Sequence, residues 1–445
     1  MKILKHTMAL IGAWLLALPV LSQSGNTRER DLQLLAENVF HLSEIMLHDV
    51  AAPTAASRFY AYSMLGAYQV ALVAGADIPN VNPAFKVPLV VKAPSVPKTF
   101  DLSFTSIYAM LDVGRQIMPP GSMLAEKQKR LIEQFKTRGL SERALSQNVR
   151  FAEDVALQVI RYARSDDYNK LSTYPRYTPS KAEGHWYPTP PEYMGALDPQ
   201  WCTVRSFFLD SAGQFAPPPP AQYSAELGSD FYKQMREVYD AVNSLTPQQR
   251  EIANFWDCNP FAVTYSGHMA IGLKKISPGG HWMGISGIAC KKANVSLDSA
   301  IMVHTLVALT LHDAFISCWK EKYLSDRIRP EGAINKLLDS EWRPILQTPP
   351  FPEYSSGHSV ASSSAAVVLT HLLGDNFEFV DDSEVYFGLP VRAFNSFYEA
   401  SNEAAISRLY GGIHFRDACD HGVVQGKKIG TFVINQVFNT LPNQE

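Results

Sequence analysis

Residues 295–319 impose the strongest constraint in the chain. Ile301, Met302, Val303, Leu306, Val307, Leu309 and Leu311 fall on nearly every side of a helix with 3.6 residues per turn. Such a helix has no face for water, so other elements must enclose it at the centre of a bundle.

The rest of the chain can supply those elements. Hydrophobic residues make up 46% and charged residues 19% of 445, which allows a large core and argues against disorder. Leu34, Leu35, Val39, Leu42, Ile45 and Met46 recur at helical spacing, as do Phe59, Tyr60, Met64, Leu65 and Tyr68, with Pro53 between the two sets. Further helical patterns cover 102–117, 123–139, 142–164, 225–243, 246–257 and 260–273, and Ser141 is placed to cap the helix that starts at Glu142. Pro278-Gly279-Gly280 reads as a turn. No convincing alternating strand runs and no internal repeat are present. The fold class expected is all-α: two antiparallel helical bundles joined by long Pro- and aromatic-rich loops. The expected organisation is a signal peptide at 1–22, an N-terminal helical region at 23–164, a loop region at 165–224 and a C-terminal helical domain at 225–445. The loop carries Trp186, Trp201 and Pro217 to Pro220, so it is expected to pack over the helices. It then either lines a pocket mouth or links two bundles.

A net charge of −3 gives no sign of a nucleic-acid partner, which would want a concentrated basic face, and none is expected. Lys2 and Lys5 precede an apolar run from Met8 to Leu21 and the small residues Ser22 to Gly25, the form of a secretory signal. The run is short for a membrane span. An exported protein, periplasmic or secreted, with no stable span after cleavage near Ser22 is expected. Cys202, Cys258, Cys290, Cys318 and Cys419 are odd in number and lack metal-clip spacing, and no disulfide is assigned. His268 and His281 lack a second ligand at i+3 or i+4 and read as structural histidines; His48 and Asp49 read as a cap or surface pair.

The chemistry lies in three pieces between Lys322 and His414. The first, Lys322 to Arg329-Pro330, combines a point charge with a planar fork of donors, and Pro330 fixes the backbone behind Arg329. Arg327 and Lys320 carry similar charge at other spacings. In the second, Ser356-Gly357-His358 opens a helix whose free N–H groups suit an anion. Ser356 offers a hydroxyl, and His358 can give or take a proton. In the third, Ser407-Arg408 is followed by Gly411-Gly412 and His414, a bend that can turn Arg408 and His414 onto one point. The whole set suits a tetrahedral oxyanion, phosphate or vanadate, presented to a histidine.

In this order the pieces resemble K-x(6)-R-P, P-S-G-H and S-R-x(5)-H, the signature of the type 2 phosphatidic acid phosphatase and vanadium haloperoxidase superfamily. The chain is most similar to bacterial vanadium-dependent haloperoxidases of the flavobacterial and Bacteroides type. The resemblance implies that His414 is the vanadium ligand and that Lys322, Arg329, Ser356, Gly357 and Arg408 bind the vanadate oxygens. It implies His358 as acid–base residue, with Lys322 also catalytic, polarising bound peroxide. The implied cofactor is vanadate, and the implied partners are hydrogen peroxide and a halide, iodide or bromide, oxidised through a peroxovanadate. Trp319, Phe351 and Tyr354 would suit a halide pocket, and core packing accounts for them equally well. The signature's first Pro is Ser355 here, which implies a less rigid turn. An acidic residue found in relatives four after the last His is Ala418 here, which leaves Asp417 as first candidate for orienting His414. Two alternatives go with this reading. One is an exported phosphomonoesterase taking a small phosphate ester without a cofactor, through a phosphohistidine at His414. The other is a non-catalytic oxyanion-binding protein.

Overall fold

The computed structural model describes residues 18–260 and 262–438. Among them the helices are α1 (Leu18–His48), α2 (Pro53–Val73), α3 (Leu102–Ile117), α4 (Leu124–Thr137), α5 (Glu142–Arg164), α6 (Asp230–Asn243) and α7 (Pro247–Phe255). They continue with α8 (Pro278–Lys292), α9 (Leu297–Ser325), α10 (Pro330–Leu337), α11 (Gly357–Leu373), α12 (Phe397–Tyr410) and α13 (Arg416–Phe438). Two small antiparallel pairs complete the set: β1 (Ala262–Ser266) with β2 (Met269–Leu273), and β3 (Phe379–Asp381) with β4 (Arg392–Phe394). The protein is all-α in class, as the periodicity requires. Most of the expected signal segment lies outside the described residues.

The all-round apolar helix is α9, and it is enclosed as its composition demands. It packs against α2, α11, α8, α1 and α13. Its length and hydropathy would allow it to cross a membrane, yet 94% of the relevant window is buried inside the protein. Leu306, Leu309 and Leu311 are fully buried, each contributing on the order of 1.5–3 kcal/mol of transfer free energy. One apolar cluster runs from Leu32 in α1 to Val437 in α13, so N-terminal and C-terminal helices share a core. A smaller cluster joins α6, α10 and Phe415.

The helix α9 runs six residues past the periodic segment and stops at Asp326, which adopts a left-handed conformation at φ 47°. Lys322 therefore sits on the last buried turn of α9, not beyond it. The chain continues extended, and Pro330 occupies the first turn of α10.

Helices α11 and α13 press backbone against backbone. Gly422, Gly426 and Gly430 recur every four residues on α13, and α11 presents Ser359, Val360, Ser363 and Ser364 to them. A Cβ at Gly426 would lie 2.3 Å from the Val360 carbonyl oxygen, a separation no real side chain shows. The missing side chains therefore set how near α13 comes to the helix that opens at Gly357.

Two local expectations fail. Residues 260–273 hold a hairpin, not a helix. Val263, Thr264 and Tyr265 are β-branched or aromatic, and Ser266 pairs with Met269 across a two-residue turn led by Gly267 at φ +59°. Pro278-Gly279-Gly280 is the first turn of α8, with Pro278 at its start and Ser277 Oγ accepting from the Gly280 N–H at 3.2 Å.

The long loop at 165–223 is packed. Trp186 and Trp201 are buried. Asp313 of α9, itself buried, accepts from the backbone N–H groups of Phe207, Phe208 and Leu209. The loop also pairs with the strand-like segment after α9: Trp186 N–H donates to Asp326 O, and Ile328 N–H to Gly184 O. It thus braces the residues around Arg327 and Arg329, while the hollow described below draws no lining residue from it.

Candidate active site

The three pieces meet in one place. Lys322 is fully buried, and its Nζ donates to the carbonyls of Ser355 at 2.6 Å, Glu353 at 3.1 Å and Pro352 at 3.3 Å. The end of α9 is thereby tied to the segment that leads into α11. Burial pushes the Lys322 ammonium down to about 8, and neighbouring Arg329 adds to the fall. Arg329 donates from Nε to Phe351 O at 2.9 Å. Its Nη1 donates to Ile413 O at 2.9 Å and approaches His414 Nε2 at 3.1 Å. Burial lowers its pKa to about 10, and its Nη2 has no hydrogen-bond partner.

Arg408 comes from the last turn of α12. Its Nε lies 3.0 Å from Ser407 Oγ, and Nη2 reaches Ala253 O at only 3.4 Å. Ser407 Oγ in turn donates to Ala404 O, so this hydroxyl fixes the arginine in place. Gly412 at φ +78° makes the bend that returns the chain to His414.

His414 is held by a residue the sequence reading passed over. Its Nδ1 lies 2.8 Å from Glu353 Oε1, which also accepts the Phe415 N–H at 2.9 Å. A carboxylate is an acceptor only, so Nδ1 carries the hydrogen and Nε2 presents a lone pair. Burial, then the charges of Arg329, Lys322, Arg408 and Arg327, hold the imidazole pKa well below its usual range. The neutral ring is the form that can attack an electrophile or bind a metal.

Asp417 does not orient His414, contrary to expectation. It forms a bidentate pair with Arg327, which also pairs with the second oxygen of Glu353. The order outward is His414, Glu353, Arg327, Asp417. Glu353, seated between the neutral His414 ring and the Arg327 guanidinium, fills the place for which Asp417 was the candidate. Glu353 had a signal: it is the single acidic residue between Glu341 and Asp375.

Ser356 caps α11, its Oγ accepting the Ser359 N–H at 3.4 Å. A Cβ built on Gly357 would make ordinary contact with the Trp319 ring at 3.7 Å and Lys322 Cε at 3.9 Å. The fold itself would admit a side chain there, and what glycine keeps open is the hollow. Ser355, in place of the signature's proline, is not loose: its hydroxyl donates to Gln425 at 2.7 Å.

That hollow has a volume of about 40 Å³ and is lined by Gly357, His358, Arg408, His414, Trp319 and Phe351, among others. That is room for about three waters. Lys322, Arg329 and Ser356 stand in the wall behind this lining. His358 is half-buried, bonds a Trp256 carbonyl, and leaves Nε2 shielded from solvent without a partner. Desolvation, then Arg408 and His414, keep its pKa well below the ordinary value. Trp319 and Phe351 pack at 4.9 Å, with Lys322 Nζ 5.0 Å from the Phe351 ring. Tyr354 is not at the hollow; its hydroxyl binds Pro218 O and His421.

Of the other histidines, His48 pairs with Asp49 at the surface, as read from the sequence. His281 is buried in a polar cluster. All five cysteines are free.

Known proteins resemble this chain in fold and sequence. A family model for the VCPO second helical-bundle domain matches residues 335–442. The chain is similar to the structure described as the first bacterial vanadium-dependent iodoperoxidase, with 39% identity and a TM-score of 0.86 over 91% of this chain and 96% of that one. It shares the fold of a holo-type bacterial vanadium-dependent chloroperoxidase at 16% identity, TM-score 0.65, over 87% of this chain and 92% of that one. No curated protein matches it.

Proposed function

The chain belongs to the vanadium-dependent haloperoxidase superfamily and is an enzyme of the peroxidase class; from that premise we propose that it oxidises iodide with hydrogen peroxide, using vanadate held at His414. The observation that carries the reading is the set of unsatisfied polar atoms around the hollow. Arg329 Nη2 and His358 Nε2 are buried without partners, which normally costs about 1–3 kcal/mol each. A protonated oxyanion would remove both costs, its oxygen accepting from Arg329 and its hydroxyl donating to His358, and Gly357 leaves the space for it.

The residues fit the group. His414 Nε2 would ligate the vanadium, with Glu353 fixing the tautomer. Arg329, Arg408, Ser356 and the Gly357 N–H would hold the oxygens, with Lys322 contributing its charge. When bound, vanadate supplies a Lewis acid that activates peroxide without changing oxidation state. Lys322 donates to three carbonyls, so its charge is fixed beside the hollow at the cost of a free donor. It acts as a positioned point charge toward peroxide oxygen. His358 enters neutral and can take a proton from peroxide at Nε2. Trp319 and Phe351 give the halide an apolar, polarisable wall, which suits the large, weakly hydrated iodide.

The relatives reported are peroxidases, and nothing among them supports the phosphomonoesterase alternative. Lys2, Lys5 and the run from Met8 to Leu21 support an exported enzyme. The test is paired. Vanadate-loaded protein should oxidise iodide with peroxide and lose this on His414→Ala. Turnover of p-nitrophenyl phosphate by the vanadate-free protein, with no iodide oxidation by the loaded form, would overturn the proposal.

A further inference from the structure

Behind the catalytic wall lies a second polar cluster that the peroxidase chemistry does not use. Cys258 follows α7, His281 stands in the first turn of α8, and Asp381 and Glu384 come from β3 and the turn after it. All are buried. His281 Nε2 lies 2.7 Å from Asp381 Oδ2. Its Nδ1 is 3.5 Å from Cys258 Sγ and 3.4 Å from Glu384 Oε1, and that carboxylate oxygen makes no hydrogen bond.

The proton count at Nδ1 is the problem. Nε2 donates its hydrogen to Asp381, so in the neutral ring Nδ1 is a lone pair. A lone pair, a sulfur and an unsatisfied carboxylate oxygen then face one another. If the ring were protonated, as its two carboxylate neighbours favour, its Nδ1–H would serve Glu384 Oε1 at 3.4 Å and leave the Cys258 sulfur at 3.5 Å unused. A cation between them satisfies all three.

Two of the three spacings are those of a small tetrahedral ion. Bond lengths of about 2.3 Å to sulfur, 2.05 Å to nitrogen and 2.1 Å to oxygen give ligand separations of about 3.6 Å for S···N and 3.4 Å for N···O. The observed values are 3.5 and 3.4 Å, and the three ligand atoms lie within 4.8 Å of one another. Asp381 on the far ring nitrogen is the carboxylate that a metal-bound histidine characteristically donates to. Arg408 stands close enough to Cys258 to offset part of the surplus negative charge.

We propose that Cys258, His281 and Glu384 form a binding site for a divalent, thiolate-accepting metal ion such as zinc, oriented by Asp381. The site is separate from the oxyanion hollow in its chemistry: anionic and soft, where the hollow is cationic and hard. It ties three chain segments together at one wall. Cys258 itself lines the hollow, and Trp256, two residues before it, stacks on His281 at 4.5 Å while its carbonyl receives His358. An ion here would hold the residue that positions His358.

The test uses vanadate-loaded full-length protein, stripped of other metals with a chelator and titrated with Co²⁺ alone. The expected result is one Co²⁺ per chain, with intense four-coordinate visible absorption and a thiolate-to-cobalt charge-transfer band. Zn²⁺ should bleach both. Cys258→Ser should lose the charge-transfer band, and Glu384→Gln should weaken Co²⁺ binding at least tenfold. A wild-type protein that gives only a weak six-coordinate spectrum, or one whose charge-transfer band survives Cys258→Ser, overturns the proposal. The occupant of the cluster would then be a proton on His281.

Discussion

Replacing Glu353 with Gln tests the linkage between the buried carboxylate and the histidine. Glu353 serves His414 and Phe415 through one oxygen and Arg327 through the other. Glutamine keeps the shape and loses the charge. With its oxygen toward His414, its amide hydrogens meet the Arg327 guanidinium, donor against donor. Turned over, the amide meets Nδ1–H and drives that hydrogen to Nε2, which removes the lone pair the proposed vanadium bond needs. Loss of such a partner behind a metal-bound histidine costs about 10–100-fold in affinity or activity, or about 1.4–2.8 kcal/mol. Arg327 retains Asp417, so the stability cost should fall to about 1–3 kcal/mol, below that of an abandoned buried charge. The assay titrates vanadate-free protein with vanadate, reading iodide oxidation and binding calorimetry, beside urea unfolding. Asp417→Asn is the control, because it touches Arg327 but not His414. A folded Glu353→Gln protein that binds vanadate within about twofold of wild type would refute the argument, as would an equal loss in Asp417→Asn.

Other outcomes follow from the same geometry. His414→Ala should abolish vanadate binding by calorimetry and iodide oxidation together, leaving far-ultraviolet dichroism unchanged. His312 is buried, donates from Nε2 to Arg205 O, leaves Nδ1 unsatisfied, and burial lowers its pKa to about 4. Its unfolded form titrates near 6.5, so its contribution is present above that pH and is lost as pH falls toward 4. His312→Gln should therefore reduce the acid-side slope of stability by about 1.4 kcal/mol per pH unit in that window, measured by urea unfolding. Gly426→Ala should destabilise by about 1–3 kcal/mol, because its Cβ meets backbone that cannot yield.

Much of the site was legible because its chemistry is encoded by residue type at fixed spacing. Lys322, Arg329, His358, Arg408 and His414 converge as the three sequence pieces require. The orienting group was missed because its partner depends on tertiary path. Asp417 is near His414 in sequence, whereas Glu353 reaches it from another segment, across 61 positions. The hairpin at β1 and β2 was missed for a different reason. Its apolar residues also satisfy a helical period, and only the two-residue turn at Gly267-His268 separates the readings. Helix positions were legible wherever an apolar stripe was broken by a cap or proline, as at Pro53 and Ser141. The cluster at His281 was invisible because Cys258, Asp381 and Glu384 show no common spacing.

The glycine row on α13 carries an implication for how this enzyme can change. Backbone pressed against backbone leaves no slack between α11 and α13, so neither helix can slide or swivel to admit a different halide. Variation in substrate preference should therefore accumulate where side chains rather than main chain form the boundary, at Trp319, Phe315 and Phe351. Mutagenesis aimed at halide range would best begin with those rings and leave the helix interface untouched.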